Sequence, residues 1–329
     1  MSELPLDQVR TLLSVVDRGS FDAAAQELRL TPSAVSQRIK ALERRVGRVL
    51  VLRTKPARPT GSGEVLVRLA RQLVRLEDDA AAELGLPAPG GGNGDGSGRD
   101  AGSGGGAGAG PATTLAVAVN ADSLATWFLP ALSRVPAELR VCFELHKEDQ
   151  ARTADLLRQG LVSAAITASP HPVAGCTVRP LGSMAYRARA TPGFVERWLA
   201  GGPVAQTLPS APVIVFNRDD DLQDAFLRDL APQAVPGPGR VRHSIPASDA
   251  YVRAVAAGLG WGMLPDEQAA QLPAGTVVDL APGRTVEVAL YWQQWKLDSP
   301  PLAALAAAVA RAAAGTLTAP KGGHSAGTQ

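Results

Sequence analysis

Two kinds of apolar spacing divide the 329 residues. Up to about residue 84, apolar side chains recur at steps of three and four, the period of amphipathic helices; from 114 onward, short strand-like runs alternate with helix-like ones. In the first part, Ser20 can cap a short helix running to Leu28. Thr31 caps a second helix with Pro32 at its first position, where a missing N–H costs nothing. Along that second helix Val35, Ile39, Leu42 and Val46 step by four, three and four, so they share one buried stripe. Ser33, Gln37, Lys40 and Arg44 lie opposite, with Ser36 beside them. The connection Arg29-Leu30-Thr31 is short, and together with the two caps it favours a helix-turn-helix over a lone amphipathic helix with a solvated charged face.

A β-rich run, Val49–Arg53, and a rigid basic loop, Thr54–Pro59, follow and predict a β-wing beside the second helix. Thr60 then caps a longer helix in which Leu66, Leu69, Leu73, Leu76 and Ala80 step by three, four, three and four. That narrow seam is of coiled-coil type and predicts a dimerisation helix, with packing against its own domain as the alternative.

Charge sharpens the picture. The whole chain carries only +2, but Arg29 to Arg75 holds twelve Lys or Arg against two acids, Glu43 and Glu64, a local excess of +10. Such a block suits a polyanion, and its apolar residues are patterned for burial rather than for a membrane surface. Double-stranded DNA is the expected partner. Small polar residues and a Gln at the amino end of the helix suit base edges, and the cations beyond suit phosphates. The candidate DNA contacts are Ser33, Ser36, Gln37, Arg38, Lys40 and Arg44 on the helix, with Arg53, Lys55 and Arg58 on the wing.

Residues 85–112 contain thirteen glycines and almost no large apolar side chains. Such a stretch cannot offset its own ordering entropy, so it is expected to be a disordered tether spanning roughly 30 Å root-mean-square. Beyond it, strands are expected at 115–119, 141–145, 164–167, 213–216, 240–244, 260–264 and 286–292. Helices are expected from a cap at Asp122 or Ser123 to Leu132, from Thr153 to Arg158 and from Pro300 to about Ala314. The alternation argues for mostly parallel sheets with helices on both faces. The stretch from Gly315 to Gln329 is expected to fray.

The quoted elements carry a resemblance. The AAxxL of the first helix, TPSAVSQRIKALE of the second, Gly47 and the PTxxG before the long helix resemble the LysR-type transcriptional regulators. LAVAVNADSLATWFLPAL (115–132), GLGWGMLP (258–265) and YWQQWKL (291–297) are similar to the ArgP/LysG branch, whose members sense basic amino acids and activate genes for their export. The resemblance implies an α/β protein with an all-α winged helix-turn-helix domain (1–62), a linker helix (63–84) and an effector domain (113–316) like a periplasmic binding protein; composition adds the tether (85–112) and a disordered tail (317–329). In the effector domain, one subdomain takes 113–181 and 285–316 and the other takes 182–284. Relatives generally have a short hinge where this chain has its Gly-rich tether.

Ligands of such folds sit where strand ends meet helix amino termini. Asn120-Ala121-Asp122-Ser123 offers free N–H groups and the Ser123 hydroxyl to an α-carboxylate. Glu148-Asp149 or Asp219-Asp220-Asp221 can hold the cationic end of lysine or arginine, with Trp127 as an aromatic wall. Ser248-Asp249 can take the α-ammonium group. The same residues could simply cap helices. A buried cation nevertheless needs a carboxylate partner, and acids at strand ends supply one.

Catalysis finds little support. His146, His171, His243 and His324 are scattered, Cys142 and Cys176 are isolated, and Gly258–Gly262 lacks the strand-then-helix setting of a dinucleotide fingerprint. No metal or cofactor is expected. The amino terminus shows no leader pattern, which implies a cytoplasmic protein without membrane association. The reading is therefore a DNA-binding regulator, an activator of a basic-amino-acid exporter gene acting with RNA polymerase as a homodimer or homotetramer. Its effector would be lysine, arginine or histidine. The alternatives are a regulator of the same family sensing another small metabolite, or an effector-independent nucleoid or replication-origin protein.

Overall fold

The computed structural model describes residues 4–84, 112–148, 150–232 and 240–319. The stretch expected to form the tether, apart from Ala112, the candidate ligand Asp149 and the end of the expected tail from 320 lie outside the described residues.

The amino-terminal head packs α1 (Leu6–Arg18), α2 (Phe21–Leu28) and α3 (Pro32–Val46) around Val9, Leu12, Val15, Ala24, Val35, Ile39 and Leu42. Both expected caps are made: the Ser20 hydroxyl accepts from Ala23 N at 3.1 Å and the Thr31 hydroxyl from Ala34 N at 3.2 Å. The wing is a hairpin of β1 (Val51–Leu52) and β2 (Arg58–Pro59). It is pinned to α3 by the Leu50 amide, which donates to Glu43 Oε1 at 2.9 Å. Thr60 then caps α4 (Gly61–Glu83) by accepting from Gly63 N at 3.1 Å.

The expected seam of α4 is not uniform. Leu66, with Val67 and Ala70, is buried in the core of the head, and Leu69 packs against it, whereas Leu76 is 39 % exposed. The Leu66 and Leu69 end of the seam thus completes its own domain, and the Leu76 end leaves apolar surface for a partner helix.

The second half is built on one strongly curled mixed sheet in the order β10-β6-β11-β5-β3-β4, with β9 added on β6. In chain order, β3 (Thr113–Asn120) runs into α5 (Ala121–Ser123), a π-helical turn (Leu124–Phe128) and α6 (Leu129–Leu132), all with helical dihedrals. Then come β4 (Val141–Glu148), α7 (Gln150–Gln159), β5 (Ala164–Thr167) and the fifteen-residue β6 (Cys176–Ala190). The far lobe holds α8 (Pro192–Trp198), α9 (Val204–Thr207), β7 (Val213–Val215), α10 (Leu222–Leu230), β8 (Arg242–Ser244), α11 (Ser248–Ala256), β9 (Gly262–Pro265), α12 (Asp266–Ala269) and β10 (Val278–Asp279). The chain returns along β11 (Val286–Trp295) and closes with α13 (Pro300–Thr316).

Three corrections follow. The sheet is not mostly parallel: β3 runs parallel to β4 and β5, but β6 pairs antiparallel with β9, β10 and β11. The long strand β6 was not expected, because Pro180, Gly182 and its arginines mask the alternation in which Met184, Tyr186, Ala188 and Ala190 are buried. The chain does not fray from Gly315. The helix continues to Thr316, Leu317 is buried, and Thr318 exchanges backbone hydrogen bonds with Ser183 at 3.0 Å in both directions.

β6 and β11 thread both lobes. Their pairing breaks register between Leu290 and Tyr291, opposite Gly182 and Pro180. On one side of this break β11 pairs with β5, and on the other β6 pairs with β9 and β10, so the two strands cross between the lobes here.

Candidate ligand cleft and DNA-binding face

A cleft of about 270 Å³ opens between the lobes. That is small against the roughly 300–1,000 Å³ of pockets that enclose drug-sized ligands, so a small metabolite fits and a dinucleotide does not. The near lobe contributes Asn120, Ala121 and Asp122 from the end of β3 and the start of its helix, and Glu148 from the end of β4. The far lobe contributes Phe216, Asn217 and Asp219–Asp221 of the loop after β7, the first residues of α10, and Tyr186, Tyr251, Met263 and Gln268.

The lining is strongly one-signed. Asp122, Glu148, Asp219, Asp220 and Asp221 face it, and among the described residues no Lys or Arg does. A shallower hollow adjoins it through Glu148, Asn217 and Asp219 and brings Lys147 and Arg218 to the rim. Cations are therefore kept to the mouth.

Asp122 lies at the centre of a hydrogen-bonded chain. Tyr186 Oη donates to Asp122 Oδ2 at 2.7 Å and Ser248 Oγ donates to Oδ1 at 2.5 Å, while Gln268 Nε2 donates to Ser248 Oγ at 2.8 Å. Burial pushes the Asp122 carboxyl above the usual carboxylate range, and the Ser248 and Tyr186 donors work against that rise. Burial, followed by the neighbouring Asp122, pushes the Tyr186 phenol far up, so it stays a donor. Tyr251 forms the floor. Its hydroxyl accepts from Gln223 Nε2 at 2.9 Å and Met263 N at 3.0 Å and donates to Ile214 O at 2.9 Å. Two buried acceptors, Asn120 Oδ1 and Gln223 Oε1, have no partner although both residues line the cleft. Unpaired buried acceptors of this kind are places for a ligand donor.

The aspartates of the far loop differ in duty. Asp220 closes its own loop, accepting from Phe216 N at 2.7 Å and Leu222 N at 3.1 Å. Asp221 pairs with Arg228 at 2.6 Å on the outside, and the Arg228 hydrogen bond holds its carboxyl below the ordinary range. The Asp219 amide donates to Asn217 Oδ1 at 2.8 Å, and its carboxylate faces the cleft.

Of the expected ligand residues, the fold thus brings Asp122, Glu148 and Asp219 together and seats Ser248 directly behind Asp122. Among the described residues, it does not bring in Ser123, Trp127 or Asp249. Neither Asp122 nor Ser123 caps the helix; the cap position is Asn120, without a side-chain bond. Ser123 is fully buried and Trp127 is 3 % exposed within the core against Phe128, so neither faces the cleft. Ser123, Trp127 and Ala131 recur at steps of four and form the inward stripe of this helix, leaving Asp122 on the neighbouring face. Asp249 is exposed on the first turn of α11, away from the lining. Sequence reasoning missed Tyr186 with its unrecognised strand, and Gln223, Tyr251 and Gln268, whose signal was only their place near helix starts.

On the head, Ser33, Gln37, Lys40 and Arg44 are exposed along α3 with Ser36 half-buried, and Arg53, Lys55 and Arg58 are exposed on the wing. Arg53 joins the two: its guanidinium lies 4.7 Å from the Phe21 ring centre and donates to Ser36 Oγ at 3.2 Å. Arg38 is the exception among the candidates. It turns back to α1, 3.5 Å from Thr11 Oγ1 and 3.7 Å from Asp7 Oδ2, because its position falls between the outer face and the buried stripe.

A winged helix-turn-helix head, a long helix and a two-lobed domain with an interlobe cleft define a ligand-responsive transcriptional regulator. Residues 6–64 match the bacterial regulatory helix-turn-helix protein, lysR family, and residues 108–314 match the LysR substrate binding domain. The chain belongs to the LysR family and is a DNA-binding transcriptional regulator. It is 43 % identical over 309 residues to the lysine export transcriptional regulatory protein LysG of Corynebacterium glutamicum, covering 93 % of this chain and 97 % of the relative. Its fold is similar to crystalline ArgP from Mycobacterium tuberculosis, with TM-score 0.82, 41 % identity and coverage of 95 % and 98 % of the two chains. It is also similar to full-length LysG from C. glutamicum with bound effector Arg, with TM-score 0.76, 40 % identity and coverage of 95 % and 99 %.

Proposed function

We propose that this regulator takes a basic amino acid, L-lysine or L-arginine, into the interlobe cleft and controls an amino-acid export gene in response. The observation that carries the reading is the cleft wall itself: five carboxylates and no cation among the described lining residues. A cationic side chain entering a partly desolvated site needs such partners, whereas an apolar amino acid would leave them unpaired. The arginine bound by the LysG relative supports the same chemistry.

In this reading the free N–H groups at the start of α5 hold the α-carboxylate and Asp122 meets the α-ammonium. Glu148 and Asp219 take the side-chain cation, since Asp220 closes its loop and Asp221 pairs outward. Ser33, Ser36, Gln37, Lys40, Arg44, Arg53, Lys55 and Arg58 meet DNA. The later turns of α4 join two copies into a homodimer, or pairs of dimers into a tetramer, through Leu76 and its neighbours. The protein acts in the cytoplasm as an activator contacting RNA polymerase, and its role is regulatory rather than catalytic.

Calorimetric titration with L-lysine, L-arginine and L-leucine tests this. Saturable binding of a basic amino acid and none of leucine is expected. A folded, DNA-binding sample that takes up neither lysine nor arginine would refute it.

A further inference from the structure

Between α4 and β3 the chain passes through the Gly-rich residues 85–111, a poor carrier of any signal from cleft to head by sequence composition. The structure also contains a direct route. Arg71 of α4 donates one guanidinium nitrogen to the Gln159 carbonyl, at the carboxyl end of α7, and the other to Asp17 Oδ1, at the carboxyl end of α1 in the head. One turn earlier, Arg68 Nη1 reaches the Arg158 carbonyl at 3.4 Å. The Arg71 side chain is only 16 % exposed there.

Three features make this joint specific. The last carbonyls of a helix lack intrahelical partners and carry the negative end of its dipole, so two guanidinium groups are well placed there. A planar guanidinium can bond two acceptors at once, which an ammonium does less rigidly. Gly160 ends α7 with φ +74°, and a Cβ on it would stand 3.2 Å from Arg68 Cα and 3.3 Å from Arg68 Cγ. The helix end therefore sits close against α4, and the positive φ of Gly160 favours glycine there.

The other end of α7 begins two residues after Glu148, which lines the cleft. Ten residues of helix span about 15 Å. We propose that Arg71, assisted by Arg68, is the coupling residue of this regulator: it clips the carboxyl end of α7 to Asp17, so that a shift of α7 at the cleft is felt by the DNA-binding head without passing through residues 85–111. The joint rests on the proposed cleft function for its effector, but not for its existence.

The test uses the full-length protein with R71A, D17A and the double variant, none of which touches the cleft or the DNA-facing side chains. The first arm follows hydrogen exchange of amides 150–161, with and without a duplex selected from random-sequence DNA for tight binding. Exchange there is expected to change on DNA binding in the wild type and not in R71A. An equal response in both, or none in the wild type, overturns the proposal. This arm needs no effector, so it decides the matter even if the basic-amino-acid reading fails.

The second arm measures DNA affinity with and without saturating L-arginine. Coupling between sites typically amounts to 5–150-fold. Each single variant is expected to reduce the wild-type factor to less than about twofold while leaving L-arginine affinity unchanged, and the double variant to add nothing further. Coupling retained in either single variant, or additive losses, overturns the proposal. If wild-type protein binds no L-arginine, the effector assignment falls and the exchange arm alone judges the joint.

Discussion

Ser248 donates its hydroxyl to Asp122 across the cleft at 2.5 Å, joining the first turn after β3 in one lobe to the first turn of α11 in the other. Tyr186, also beyond the crossing point, holds the second carboxylate oxygen. One carboxyl group therefore serves as a meeting point of both lobes and as part of the candidate ligand wall. Burial penalises its charge. A cation arriving there repays part of that penalty, and it does so at a group whose position depends on how the lobes sit. Ligand occupancy and lobe placement are thereby linked, as any effector mechanism requires.

Asp122→Asn separates ligand binding from stability. The native carboxyl titrates above its unfolded value because of burial. The resulting cost is absent below the unfolded pKa, grows as pH rises through the native one, and is fully present beyond it. Removing the charge should thus raise the Tm of the empty protein at neutral pH, less whatever the amide loses as an acceptor for Ser248 and Tyr186. The gain should vanish in acid. Affinity for L-arginine should fall at least tenfold. Thermal scans at two pH values beside calorimetry check both halves, and a variant that is less stable at neutral pH and binds normally would contradict them.

The same sign predicts a pH profile for the effector. A bound cation favours the ionised Asp122, so binding releases a proton wherever the empty cleft holds one. Affinity for L-arginine should decline as pH falls, approaching tenfold per unit for a single proton. Calorimetry in two buffers of different ionisation enthalpy should show proton release. Affinity that stays flat as the pH falls through the native titration of Asp122, with no buffer dependence, would mean that Asp122 does not meet the cation.

Legibility in the sequence followed the range of the interactions. Caps and helix periodicity are local, so Ser20, Thr31, Pro32 and the Val35–Ile39–Leu42 stripe were readable directly. The acids at strand ends were readable because β3 ends where polar residues begin and β4 turns polar towards its own end at Glu148. The partners of Asp122 were not, since Tyr186 and Ser248 lie 64 and 126 residues away and are brought in by β6 and α11. Trp127 and Ser123 were put at the cleft by proximity in sequence, although their four-residue spacing marks one inward stripe and both are buried away from the lining. The seam of α4 misled for a related reason: periodicity shows that a face is apolar, but not whether its own head or a partner covers it.

On the DNA side, charge alone does not rank the arginines and lysines. Lys40 and Arg44 are exposed along α3, whereas Arg38 faces Thr11 and Asp7 on α1. Lys40→Ala and Arg44→Ala should each weaken binding at any sequence and reduce the slope of log affinity against log salt by about 0.9. Arg38→Ala should leave that slope unchanged. Gln37→Ala should instead relax sequence preference, by about 1–3 kcal/mol at the base it meets. Fluorescence anisotropy over a salt series distinguishes the three behaviours, and a slope change in the Arg38 variant equal to that of Lys40 would overturn its placement.

Two glycines beside the Leu317–Thr318 segment should respond in opposite directions to the same substitution. Gly182 sits at the register break of β6 with φ +134°, and a Cβ there would lie 2.6 Å from Thr318 O and 2.8 Å from Leu317 Cβ. Gly182→Ala must strain the backbone or expel the Leu317–Thr318 segment from Ser183, which should cost about 2–4 kcal/mol. Gly315 lies within α13, and a Cβ there meets nothing within 4 Å. Gly315→Ala removes unfolded-state freedom and gains helix propensity, so it should stabilise by roughly 0.5–1 kcal/mol. Urea unfolding of both variants checks the pair. A neutral Gly182→Ala would mean that the crossing strand yields easily at this point and that the two lobes are not held in register by the returning chain.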